Sequence, residues 1–331
     1  MKKIKVICFG VRKVEEPIFH KFNKYNYELE LRSDSLNEDT IDSLKGFDAV
    51  ITRASDKVNA AVLEKIKSFG IKYVLARIVG TDHMDLNKMK ELGISSARVP
   101  SYSPTAIAEL AFSMGVMLNR KALHFANKGK NNDFVVDPFG FAREFKNTKV
   151  GIIGTGKIGY WTAHFFKSMG AKVYGYDLFQ NDKAKEVLEY VSLDELLSLS
   201  DIISFHIPYI KGQNDKMINK DFISKMKDGA ILINTARGQI QDEEALLWAL
   251  ETNKLSAVAT DVFNNEGEIF FKKHEKLPNA TVEKLMSFYP RFIATPHVGS
   301  YTDEAVANMV ETSFDNLNEF LTTGDCKNKV C

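Results

Sequence analysis

Gly154-Thr-Gly156-Lys-Ile-Gly159 lies between an apolar run (Val150, Ile152, Ile153) and a helix-like stretch from Trp161 to Met169. Asp177 closes the next apolar run, eighteen residues after the third glycine. Strand, glycine turn, helix, second strand and acid in that register predict a dinucleotide-binding βαβ unit. The glycines permit a tight turn, a close backbone approach to a pyrophosphate and close helix-on-strand packing, and the helix N-terminus offers unpaired N–H groups to the phosphates. A carboxylate at Asp177 can accept both ribose hydroxyls of NAD. It would repel the extra phosphate of NADP, and Leu178-Phe179-Gln180 supplies no cation to offset it.

The turn stands near the middle of the chain, so a complete set of βα units precedes it. Short apolar runs alternate with amphipathic segments: Ile4 to Phe9, Ala49 to Thr52, Tyr73 to Ala76, Val150 to Ile153, Val173 to Tyr176, Ile202 to His206, Ile231 to Asn234, Ala257 to Ala259 and Phe292 to Ala294. That rhythm predicts an α/β protein of two doubly wound parallel-sheet domains. Ser103 to Leu118, with Pro104 at its start, reads as a long, largely buried helix bridging the domains. A final amphipathic helix, Thr302 to Leu321, has no strand after it and is expected to pack back on the first domain. The division is therefore 1–101 with 300–331 as a substrate domain, and 102–299 as the nucleotide domain, with the reactive site in the cleft between them.

Lys+Arg 44 against Asp+Glu 43 gives a net charge of +1, which favours neither nucleic acid nor an acidic membrane as partner. No apolar run reaches membrane-spanning length, and the N-terminal Met-Lys-Lys-Ile-Lys-Val-Ile-Cys alternates like a strand and is too short in its apolar part for a signal segment. Three scattered cysteines make no disulfide framework: Cys8 reads as a core residue, and Cys326 and Cys331 as members of a mobile tail. A cytoplasmic protein is expected.

Arg237, Glu266 and His297 each follow a predicted strand of the nucleotide domain, at the edge where open α/β sheets bind ligands. An Arg can grip a carboxylate and polarise a carbonyl. A His can exchange a proton near neutral pH, and a Glu beside it would fix its tautomer and favour its protonated form. Among the other histidines, His83 suits a loop hydrogen bond or a pocket role, and His206 a structural or nicotinamide-side role. His20, His124, His164 and His274 show no partner pattern. No HxxxH, HExxH or CxxC spacing occurs, so no metal is expected.

Over essentially its whole length the sequence resembles the NAD-dependent D-2-hydroxyacid dehydrogenases. The likeness runs through Val79-Gly80-Thr-Asp-His-Met-Asp, Val99-Pro-Ser-Tyr-Ser-Pro-Thr-Ala-Ile-Ala-Glu109, the glycine turn, His206-Ile-Pro208, Met226-Lys-Asp-Gly229, Asn234-Thr-Ala-Arg-Gly238, Asp261-Val-Phe and Thr295-Pro-His297. The resemblance implies Arg237 as substrate clamp, His297 as general acid/base and Glu266 as its partner. It implies that Val79 and Gly80 offer N–H groups to a substrate carboxylate and that Tyr102 lines the pocket. On the NAD side it points to Gly154, Gly156, Lys157, Ile158 and Gly159 at the pyrophosphate and Asp177 at the ribose. Ile207, Pro208, Asn214, Thr235, Ala236, Arg237 and Asp261 are then expected around the remaining cofactor contacts.

Arg53 ends Asp48-Ala-Val-Ile-Thr-Arg at the ligand edge of the first domain, where lactate-specific relatives commonly carry a neutral residue. Lactate enzymes also usually carry a bulky aromatic where Ser300 stands. The segment Pro296 to Val306 and the ending Gly324-Asp-Cys-Lys-Asn-Lys look like the (R)-2-hydroxyglutarate dehydrogenases. Together these imply 2-oxoglutarate as substrate, with Arg53 on its distal carboxylate. Alternatives stand beside that reading: an ion pair of Arg53 with Asp56, D-lactate dehydrogenase activity, the phosphoglycerate, glycerate or formate dehydrogenases of the same family, and an NAD-sensing binding protein without catalysis. The long helix after Ser103 and the habits of relatives point to a homodimer.

Overall fold

The computed structural model describes residues 3–331; the N-terminal reading also drew on Met1 and Lys2, which lie outside them. The chain forms two compact units, Met1–Ser103 with Tyr301–Cys331, and Pro104–Ser300.

The first unit is built on strands β1 (Lys5–Cys8), β2 (Glu28–Leu31), β3 (Ala49–Thr52) and β4 (Tyr73–Ala76), all parallel in the order β2-β1-β3-β4. Helices α1 (Glu16–Phe22), α2 (Ala60–Ser68) and α3 (Leu86–Leu92) accompany them. Asn59 caps α2 by accepting from Val62 N, and Asp85 caps α3 by accepting from Lys88 N, satisfying N–H groups that a helix start leaves bare. Ile7, Val50, Val74, Val62, Leu63 and Ile66 pack into one core. Strand β2 escaped the sequence reading because Glu28-Leu-Glu-Leu is an edge strand whose acids face solvent and leave only two apolar positions.

The second unit opens with α4 (Pro104–Asn119) and α5 (Ala122–Lys130). Strands β5 (Lys149–Ile153), β6 (Lys172–Tyr176), β7 (Glu189–Tyr190), β8 (Ile202–Phe205), β9 (Ala230–Asn234), β10 (Leu255–Thr260) and β11 (Phe292–Ala294) form a parallel sheet in the order β11-β10-β9-β8-β5-β6-β7. The connecting helices are α6 (Lys157–Ser168), α7 (Leu193–Leu199), α8 (Lys220–Lys225), α9 (Glu243–Glu251), α10 (Glu266–Ile269) and α11 (Ala280–Met286). Both faces of the sheet are buried: Ile152, Ile202 and Ile233 enter one core and Ile153, Ile203 and Leu232 the other, as period-two alternation requires of covered parallel strands.

Helix α4 lies wholly within the second unit, where it packs on α6 and β9. Gly115 makes that approach possible, since a Cβ there would meet Phe166 Cζ at 2.7 Å. Helix α6 begins at Lys157, four residues before the expected Trp161, because the glycine turn leads directly into it. The two ends of this unit meet, for a Cβ on Gly299 would lie 3.3 Å from Ile107 Cγ1.

The chain then returns to the first unit as α12 (Asp303–Thr323), capped by Thr302 and ended by left-handed Gly324. Phe314 meets Phe19 edge-on at 6.1 Å, and Asn308 Nδ2 donates to Tyr102 O at 2.7 Å. The tail expected to be mobile is docked instead: Val330 N donates to Ser96 O, Lys329 bridges to Ala97, Cys326 is buried beside Asn316, and Cys331 Sγ reaches Ile94 O. Short polar tails look mobile by composition; here residues 95–98 pair with β4 along one edge and take the tail along the other. Among the described residues no helix is long and apolar enough to cross a membrane.

Candidate functional site

In the second unit, β11 delivers His297 and the turn after β10 delivers Glu266. His297 Nδ1 and Glu266 Oε1 lie 2.8 Å apart, with both side chains about a third exposed. His297 has a φ of 52° and Asn265, just before Glu266, one of 57°, conformations that cost a non-glycine residue energy and must be imposed by surrounding bonds. Asp261 imposes the first. Its backbone O accepts from His297 N at 3.0 Å, Oδ1 accepts from Val298 N at 2.9 Å and from Thr295 Oγ1, and Oδ2 accepts from Gly299 N at 2.8 Å. Burial pushes the Asp261 carboxyl up from the usual range, and these donors take back only part of the push. The expected cofactor contact of Asp261 is thus joined by a loop-holding role that the motif Asp261-Val-Phe did not disclose.

Arg237 stands after β9 with Nη1 donating to Ala236 O at 2.8 Å. Its loop is anchored by buried Asn234, whose Nδ2 donates to Arg237 O and to Gln241 Oε1 and whose Oδ1 accepts from Ala236 N. Gln241 donates onward to Val262 O at 3.0 Å, so one polar network joins the Arg237 loop to the segment leading to Glu266. Gln241 was not among the expected site residues; a buried amide between two motif loops has no one-dimensional signature.

The glycine turn fits a dinucleotide. A Cβ on Gly156 would meet nothing within 4 Å, so the turn is open on the side that a pyrophosphate approaches, whereas one on Gly159 would lie 1.9 Å from Gly154 O. The first helical bond in α6 is donated by Tyr160 to Gly156 O, which leaves the N–H groups of Lys157, Ile158 and Gly159 for a ligand. His206 Nδ1 and Thr235 Oγ1, at the ends of β8 and β9, are buried without a hydrogen-bond partner among the described residues. Asp177 Oδ2 accepts from Thr155 N at 2.7 Å and from Thr155 Oγ1, which also bonds Tyr190 Oη at 2.6 Å, while Oδ1 accepts from Phe179 N. Asn214 closes the loop after Ile207 and Pro208, donating to Pro208 O and accepting from Ile210 N. Bound here, NAD supplies or accepts a hydride.

In the first unit, the N–H groups of Val79 and Gly80 have no acceptor among the described residues, and Val79 O accepts from Arg98. His83 Nε2 pairs with Thr52 Oγ1 at 3.1 Å, the loop role. His206 Nε2 pairs likewise with Ser204 Oγ in the second unit. Two histidines without a sequence pattern do have partners: His124 Nε2 meets Asp137 Oδ2 at 2.7 Å and His274 Nε2 meets Ile269 O at 2.8 Å.

Arg53 makes no side-chain ion pair with Asp56. Asp56 instead accepts the backbone N–H of Arg53 at 2.6 Å and of Leu36 at 2.8 Å. The Arg53 guanidinium donates through Nη1 to Gly10 O at 3.0 Å. Burial and the neighbouring guanidiniums of Arg77 and Arg12 lower it to about 10.

Residues 112–299 match the D-isomer specific 2-hydroxyacid dehydrogenase, NAD binding domain family. An aromatic 2-oxoacid reductase of Clostridium sporogenes is 40% identical over 99% of this chain and 100% of its own length. A D-lactate dehydrogenase of Lactiplantibacillus plantarum is 37% identical over 99% of both chains. The solved structure of D-lactate dehydrogenase with NAD+ from Lactobacillus jensenii superposes with a TM-score of 0.85 at 34% identity, covering 99% of this chain and 100% of that one. With a nucleotide unit that fits NAD and relatives of this kind along its full length, the chain belongs to the NAD-dependent D-2-hydroxyacid dehydrogenases, oxidoreductases acting on 2-hydroxy acids.

Proposed function

We propose that the chain reduces 2-oxoglutarate to (R)-2-hydroxyglutarate with NADH. The observation that carries this reading is Arg53: a largely buried guanidinium at the end of β3, without a carboxylate of its own and beside two further arginines. Burying an apolar or aromatic substrate side chain against it would desolvate uncompensated charge, whereas a second carboxylate would neutralise it. Arg237 grips the 2-oxo acid, the Val79 and Gly80 N–H groups take its C1 carboxylate, and Tyr102 lines the pocket. His297 gives a proton to the carbonyl oxygen, the nicotinamide of a cofactor held at the glycine turn would supply the hydride for C2, and Glu266 holds the imidazole through Nδ1. The Lys157, Ile158 and Gly159 N–H groups face the pyrophosphate and Asp177 the ribose.

A panel of 2-oxo acids assayed with NADH tests the reading, with 2-oxoglutarate expected to give the highest kcat/KM. Phenylpyruvate or pyruvate in first place would replace it with the activity that the Clostridium sporogenes or Lactiplantibacillus plantarum relative is named for. Arg53→Leu should cost 2-oxoglutarate about 2–5 kcal/mol in kcat/KM and leave 2-oxoisocaproate unharmed. Equal loss on both would make Arg53 a structural group.

We also propose a homodimer, because Phe134, Val135 and Val136 form an exposed apolar run, Phe141 shortly after is exposed too, and α5 just before them in the chain buries none of its residues. Three unpaired cysteines agree with a reducing cytoplasm.

A further inference from the structure

Three guanidiniums gather at the C-terminal edge of the first unit's sheet. Arg77, 2% exposed, pairs through Nη2 with Glu15 Oε2 at 3.4 Å, reaches Gly10 O at 3.4 Å and stacks its guanidinium 4.9 Å from the Phe19 ring centroid. Arg12 pairs with Glu15 Oε1 at 3.1 Å and lies 4.1 Å over the ring of Tyr301. Arg53 Nη1 donates to the same Gly10 O at 3.0 Å. Gly10 has a φ of 61°, and a Cβ on it would press to 2.9 Å from Arg53 Cδ.

Charge does not balance across this group. Glu15 serves both Arg12 and Arg77, and Asp56 is spent on two backbone N–H groups, with burial raising it to about 6. Three cations therefore face at most two carboxylates in a half-buried setting, where an unneutralised charge is costly. Arg77 Nε is buried with no partner among the described residues, which marks that side chain as scaffold, held by packing rather than by a full set of acceptors. Arg12 differs: its side chain is 29% exposed and its planar face rests on Tyr301. The ring holds the guanidinium while leaving its edge free to donate.

We propose that Arg12 is a second specificity-determining contact for the distal carboxylate of a dicarboxylate substrate, acting with Arg53, and that Arg77, Glu15 and Gly10 are the buried frame positioning both. The inference rests on the dicarboxylate reading above and extends it to residues outside the motifs. A carboxylate that bridges Arg12 and Arg53 closes the charge deficit that Glu15 leaves. Substrates with an uncharged side chain make neither contact.

The test compares 2-oxoglutarate with 2-oxoisocaproate in wild type, Arg12→Gln and Arg12→Lys, and measures inhibition by glutarate against butyrate. Arg12→Gln should raise the KM for 2-oxoglutarate about tenfold, the loss of roughly 1.4 kcal/mol, with kcat within about twofold. Constants for 2-oxoisocaproate should hold, glutarate inhibition should weaken, and Arg12→Lys should recover part of the loss. A merely structural Arg12 would lower Tm and shift both substrates together, and that result overturns the proposal. So does an unchanged KM for 2-oxoglutarate in Arg12→Gln while Arg53→Leu abolishes the preference, an outcome that leaves the dicarboxylate reading standing. A wild-type enzyme that does not prefer 2-oxoglutarate overturns both.

Discussion

His297 and Glu266 divide one task between them. The carboxylate meets Nδ1, so Nε2 is the ring nitrogen left for the proposed proton transfer. His297→Gln keeps the hydrogen-bonding bulk and loses the proton, so kcat should fall roughly 10²–10⁴-fold with NADH binding near wild type, as fluorescence titration would report. Glu266→Gln should lower kcat roughly tenfold or more, because a neutral amide holds the ring at Nδ1 less firmly than the carboxylate does. A kcat within about twofold of wild type would reduce Glu266 to a loop acid.

At the scale of elements, β5, α6 and β6 form a unit in which Asp177, the acid proposed for the ribose, is oriented by the glycine turn through Thr155. A 2′-phosphate would enter beside a carboxylate whose oxygens are fixed, so NADPH should be at least about tenfold poorer than NADH in kcat/KM, roughly 1.4 kcal/mol. Comparable constants for the two nucleotides would remove Asp177 from the ribose. This unit was legible in sequence because each part has a periodic or spaced signature: apolar strands, three glycines, an acid at a strand end. Most central strands were legible for the same reason. What stayed hidden depends on partners distant in the chain: the acidic edge strand β2, the tail that pairs with 95–98, the Asn234–Gln241 network, and Asp56 turning to backbone N–H groups instead of the Arg53 side chain. Arg53 itself could be picked out by its place at a strand end. Its neighbours Arg12 and Arg77 could not, because only the folded sheet edge brings Arg53 and Arg77 to the Gly10 carbonyl and Arg12 and Arg77 to the Glu15 carboxylate.

For the molecule as a whole, acid exposes an opposition between buried groups. Burial lowers His83 to about 4 and His206 to about 3, from an ordinary 6.5. Below pH 6.5 the unfolded chain therefore takes up protons that the folded chain refuses, and this part of the stability, complete above 6.5, drains away as pH falls toward 4. Asp56 works the other way: raised to about 6 from 3.8, its carboxyl is protonated in the folded chain before the unfolded one, so stability is gained over much of the same window. The readout is the difference between proteins: from pH 7 to 4.5, His83→Gln should lose fewer degrees of Tm than wild type. Parallel Tm curves for the two proteins would mean that His83 is protonated in the fold.

The meeting of Gly299 with Ile107 has a consequence for the order in which a nascent chain acquires structure. The first unit is interrupted by everything from Pro104 to Ser300, and α12 with the docked tail supplies part of its wall. Drawing two ends together across some two hundred disordered residues carries a closure entropy of about 4–5 kcal/mol. A nucleotide unit that has already folded brings residues 107 and 299 into contact and removes that cost. Synthesis therefore favours a sequence in which the inserted unit matures on the ribosome, while β1 to β4 wait for the last thirty residues to emerge.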